Sequence, residues 1–76
     1  MFPVTNQTRL KEGDSRYDNL VNMAKARAER FLELNPSRRN ATFILLQWRG
    51  NEYRAYAKFR STQGTSLIAA VFESEF

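Results

Sequence analysis

The chain contains no cysteine and no histidine. The first absence excludes disulfides and thiol catalysis, and the second removes imidazole acid–base chemistry. Together they leave no conventional ligand set for structural zinc. A cysteine-free composition fits the cytosol, and a cytoplasmic location is expected. No run approaches the roughly 18 apolar residues of a spanning helix. The start, MFPVTNQTRLKEGD, has no basic stretch leading into an apolar one, so neither membrane association nor secretion is expected. The sequons at Asn6 and Asn40 are then chance. Among the acids, only Glu12 with Asp14 and Glu73 with Glu75 stand close together, both pairs at irregular or terminal positions. No catalytic constellation emerges, so the chain is expected not to be an enzyme and to need neither metal nor cofactor.

Glycine and proline are scarce, with three and two residues respectively, so they act as punctuation. Met1 to Gly13 has no sustained period and reads as an arm or irregular lead-in over residues 1–14. Ser15 with Asp18 three residues on is a variant capping box, and Asn35-Pro36 ends the helical pattern. A helix is expected from about Arg16 to Leu34. At about 100° per residue, Tyr17, Leu20, Val21, Ala24, Ala28, Phe31 and Leu32 fall on one buried stripe. Arg16, Met23, Arg27 and Arg30 line one flank of it, and Asp18, Glu29 and Glu33 the other.

After Ser37-Arg38-Arg39-Asn40 the period changes to two. Ala41 to Arg49 reads as a strand, Gly50-Asn51 as a two-residue hairpin loop, and Tyr53 to Arg60 as a second strand. A turn at Ser61 to Gly64 leads to a third strand over Thr65 to Phe76. The tight loop pairs Trp48 with Tyr53, Leu46 with Ala55, Ile44 with Ala57 and Thr42 with Phe59 on one uncharged face. If the second turn closes on Gln63-Gly64, Ile68, Ala70 and Phe72 join that face. The fold expected is therefore α+β: one amphipathic helix packed on a three-stranded antiparallel meander, forming a single αβββ domain over residues 15–76. Ala55, Ala57 and Ala70 make a trough against Ala24 and Ala28, with Trp48, Tyr53, Phe72 and Phe31 as bulky closures.

A chain of 76 residues buries only about 60% of its unfolded surface, so self-association stays open. The opposite sheet face should show Phe43, Leu45, Gln47 and Arg49, then Arg54, Tyr56, Lys58 and Arg60, then Leu67, Ala69 and Val71. A strand's outward side normally mixes signs of charge, whereas Tyr53 to Arg60 presents three cations around one tyrosine. From Arg38 to Arg60 six cations face the single acid Glu52, within a net charge of +4. Such a block is the footprint of an acidic partner.

Two partners compete for that face. In the leading reading, nucleic acid stacks bases on Phe43 and Tyr56 and meets phosphates at Arg54, Lys58, Arg60, Arg38 and Arg39. In the alternative, Phe43, Leu45 and Tyr56 anchor an acidic protein surface or a second copy of the chain, with arginine at the rim. That would be a protein-binding regulator or inhibitor of the size found in phages and mobile elements. A third possibility is that Phe2 and Val4 fold back over the patch. Arg16, Met23, Arg27 and Arg30 form a secondary candidate surface, although Arg38 and Arg39 after a helix also suit its negative end.

Overall fold

The computed structural model describes residues 2–74, and Glu75 and Phe76 at the end of the expected third strand lie outside the described residues. The elements are β1 (Val4–Asn6), α1 (Ser15–Leu34), β2 (Thr42–Arg49), β3 (Glu52–Ser61) and β4 (Gly64–Ser74), with a 3-10 segment over Pro36–Ala41 before β2. They form a four-stranded sheet in the order β1-β2-β3-β4 with α1 against one face. The class is α+β, but the sheet has one strand more than the sequence suggests and is mixed. β1 pairs parallel with β2, aligning Val4 with Ile44 and Asn6 with Leu46, whereas the other pairs are antiparallel.

The lead-in forms this strand because its apolar residues have a place to go. Phe2 and Leu10 are buried in the same core as the helix stripe, and Val4 packs on it. The arm therefore fills the helix side and leaves the outer face uncovered. Its exit is held by Asn6, whose Nδ2 donates to the Leu10 carbonyl (2.7 Å) while its Oδ1 accepts from the Thr8 amide (2.9 Å) and hydroxyl (2.6 Å).

α1 starts at Ser15, the expected cap residue, so the cap itself falls one residue earlier. Asp14, in extended conformation, is the N-cap, and its carboxylate accepts from the Arg16 amide at 2.9 Å. Tyr17, Leu20, Val21, Ala24, Ala28 and Leu32 are buried as the period requires, and Phe31 packs at the margin. The Asn35 side-chain amide donates to the Phe31 carbonyl (3.0 Å) and closes the last turn before Pro36.

The first hairpin follows the sequence in every pair: Trp48–Tyr53, Leu46–Ala55, Ile44–Ala57 and Thr42–Phe59 are opposite one another. Gly50 (φ 53°) and Asn51 (φ 69°) both take positive φ, as a primed two-residue turn demands. Ile44, Leu46, Ala55 and Ala57 are fully buried beneath the helix.

The second hairpin departs from expectation. It closes with Ser61 opposite Gly64, so the loop is Thr62-Gln63, and the register shifts between Ala57 and Lys58, where Ile68 is the extra residue. A bulge reverses the alternation beyond it. Ile68 still packs on the core, as expected, but Ala69 and Val71 follow it to the helix side, while Ala70 and Phe72 turn outward opposite Tyr56 and Arg54. Val71 is buried and Phe72 is 54% exposed, so Phe72 closes nothing beneath the helix. The trough of small residues under α1 is accordingly Ala55, Ala57 and Ala69.

Candidate functional site

The pleat places Phe43 and Leu45 from β2, Glu52, Arg54, Tyr56, Lys58 and Arg60 from β3, and Leu67, Ala70 and Phe72 from β4 on the outer face. Its rings and cations are interleaved. The Arg60 guanidinium lies 4.5 Å from the Phe43 ring centre, the Lys58 ammonium 5.2 Å from that of Tyr56, and the Arg54 guanidinium 5.1 Å from that of Phe72. Each aromatic is thus capped by a cation from β3, a favourable contact between positive charge and the ring quadrupole.

The three rings differ in access. Phe43, read as an open stacking platform, is only 8% exposed and lies under Arg60. Tyr56 is half-buried, and Phe72 is the open ring, beside Leu67 at 58% exposure. Sequence reasoning missed Phe72 because the bulge that turns it outward has no signature in the residue types alone. Leu45 is half-buried between these strands.

Arg54 is the most constrained cation. Its Nη1 donates to the Tyr56 hydroxyl (3.3 Å) and its Nη2 pairs with the Glu52 carboxylate (3.2 Å). The Tyr56 hydrogen bond holds the guanidinium more firmly protonated than usual; desolvation opposes it, and the attractions of Tyr56 and then Glu52 add smaller contributions in the same direction as the hydrogen bond. Its Nε is buried without an acceptor among the described residues. A buried donor left unpaired carries a cost that an incoming acceptor can relieve. No ion pair among the described residues engages Lys58 or Arg60.

The remaining sequence candidates lie elsewhere. Arg38 sits on the helix side, 4.9 Å from the centre of the Phe59 ring, which stacks on Phe31 at 5.3 Å. Arg39 makes a bidentate pair with Glu29 (3.1 and 3.2 Å), which lowers the Glu29 pKa and raises that of Arg39. Neither arginine joins the outer face. The secondary surface divides as well. Arg16 pairs with Asp14 (3.5 Å) and lies over Tyr53 at 5.2 Å, while Met23, Arg27 and Arg30 line a shallow depression with Ala26.

Among the described residues, no cluster of acidic, histidine or cysteine side chains could hold a metal ion, and no helix is long and apolar enough to cross a membrane. What the fold and site define is a small α+β domain with one helix-packed sheet face and one open, basic and aromatic face. No protein-family model, no curated protein and no solved structure matches the chain.

Proposed function

We propose that the protein is a small, non-enzymatic, cytosolic nucleic-acid-binding module that holds single-stranded DNA or RNA on the outer face of its sheet. The observation carrying this reading is the interleaving of three rings with three cations across adjacent strands, Phe43 with Arg60, Tyr56 with Lys58 and Phe72 with Arg54. A single strand offers partners for both layers, phosphates for the cations and base π-faces for the rings. An open sheet face suits bases that are already unstacked, whereas a duplex hides them. Phe72 and Tyr56 are the first seats for bases, and Phe43 becomes available only when Arg60 swings to a phosphate.

The test is fluorescence anisotropy of labelled single- and double-stranded DNA and RNA at two salt concentrations. The expected result is a preference for single strands and an affinity that falls steeply with salt. No binding even at about 50 mM salt, where cationic contacts are strongest, would overturn the proposal.

A second reading rests on Leu67 and Phe72, two exposed apolar residues on the edge strand β4. A protein surface or a second copy of the chain docking there would use them as anchors with Arg54 and Lys58 at the rim. In that case polynucleotide does not compete and light scattering reports a complex without nucleic acid.

A further inference from the structure

A second site lies away from the outer face, where the sequence marks only bulky closures. β1 and β2 run parallel and are connected through α1. Their carboxyl ends, at Asn6 and Arg49, open on a common crevice. That crevice is a cleft of about 460 Å³ lined by Gln7, Thr8, Arg9, Trp48 and Tyr53. Other depressions have similar volumes, so size does not distinguish this one. Its lining does.

Trp48 is the chain's sole tryptophan, and 45% of it is exposed. Its indole is held against the buried Tyr53 ring, with centres 4.6 Å apart and planes at 59°. The platform is therefore fixed from behind by a core residue and open in front. Arg9 is exposed and makes no ion pair among the described residues. The loop that carries it is held by the Thr8–Asn6 hydrogen bonds and by Gln7, whose side-chain amide oxygen accepts from Gln47 Nε2 at 3.0 Å. One cleft thus presents an ordered aromatic face and an uncommitted guanidinium.

We infer that this cleft binds the base and phosphate of a single nucleotide, either free or at the end of a strand, with the base stacked on Trp48 and the phosphate on Arg9. Stacking serves any base, and a guanidinium matches a phosphate with two parallel hydrogen bonds. None of the rings or cations of the outer face is needed, so this site stands or falls separately from the function proposed above.

Because there is one tryptophan, its fluorescence reads the site directly. Adenosine monophosphate titrated into the full chain should quench the emission saturably. Arg9→Ala should weaken that binding on the order of tenfold or more, as loss of a charge-assisted hydrogen bond requires. Adenosine lacking the phosphate should bind wild type and Arg9→Ala equally, and Lys25→Ala, on α1 and outside the cleft, should leave both curves unchanged. An oligonucleotide bearing a 5′-phosphate that quenches where the mononucleotide does not would assign the site to a strand end. The inference is overturned by absence of saturable quenching with both the mononucleotide and the oligonucleotide, or by quenching that Arg9→Ala leaves intact.

Discussion

The two faces of β3 obey the same alternation but different rules. Tyr53, Ala55 and Ala57 are buried against α1, and their sizes are dictated by what fits beneath a closely packed helix. Arg54, Tyr56, Lys58 and Arg60 are only partly covered, and nothing in the packing requires three cations there. The inner face therefore reports how the chain folds, and the outer face is the one proposed to meet a ligand.

The largest effects should come from the inner face. Leu46 is fully buried between α1 and the sheet, so Leu46→Ala removes packed methyls and should cost about 2–5 kcal/mol in urea unfolding. Ala57→Leu at the equally buried small position should cost about 1–3 kcal/mol by overpacking. Lys58→Ala, one residue along but on the other face, should stay within about 0.5 kcal/mol. A Leu46→Ala as mild as Lys58→Ala would erase the distinction between the faces.

Ligand binding should invert that ranking. Tyr56→Ala should weaken single-stranded oligonucleotide binding by about 1–3 kcal/mol with little change in salt slope, because it removes a stacked base rather than a phosphate contact. Lys58→Ala and Arg60→Ala should instead lower the slope of log K against log salt by up to about one unit each, with similar losses across sequences. Equal salt slopes in all three variants would mean that the rings and cations do not divide the work in this way.

The hairpins show how far the sequence alone reaches. Gly50-Asn51 between two alternating runs specifies both turn type and register, and all four inner-face pairs of β2 and β3 are legible from it. The helix stripe is equally clear, because six of its seven residues are buried. β4 is legible only as far as Ile68. Its bulge inserts a residue within a run of uncharged side chains, LIAAVF, in which either face could turn inward, so composition gives the register no anchor. β1 was hidden for another reason. Three residues are too few to show a period, and their pairing depends on Phe2 and Leu10 finding the core. At the site, the residues of β2 and β3 are legible from alternation, whereas Phe72 depends on the bulge and the capping of Phe43 depends on the rotamer of Arg60.

The turns offer a sharper comparison of the two hairpins. Gly50 has φ 53°, inside the left-handed region, whereas Gly64 has φ 116°, outside it. An added Cβ meets nothing within 4 Å at either position, so the cost is purely backbone. Gly50→Ala should cost about 1–2 kcal/mol, and Gly64→Ala more, because no L residue rests comfortably at that φ. Thermal unfolding of both variants checks the order. The reverse order would place the stricter turn in the first hairpin.

The smallest effect should be one of pH, and it resides on neither face. The Asp14 carboxyl is held below its ordinary pKa, chiefly by the Arg16 backbone amide and then by the Arg16 side chain. Its folded pKa lies below the unfolded one, so the stability it adds is fully present above the unfolded value. That stability fades as pH falls through the folded value, in a window below about pH 4. The group is only partly covered at the start of α1, so the change is modest and screened by salt. Asp14→Asn keeps a side-chain acceptor for the cap but cannot titrate. The gap in melting temperature between wild type and Asp14→Asn should therefore be widest near neutrality and narrow on acidification to pH 3, while Lys58→Ala tracks wild type throughout. A gap that stays constant over that range would show that the charge of Asp14 contributes nothing beyond its hydrogen bond.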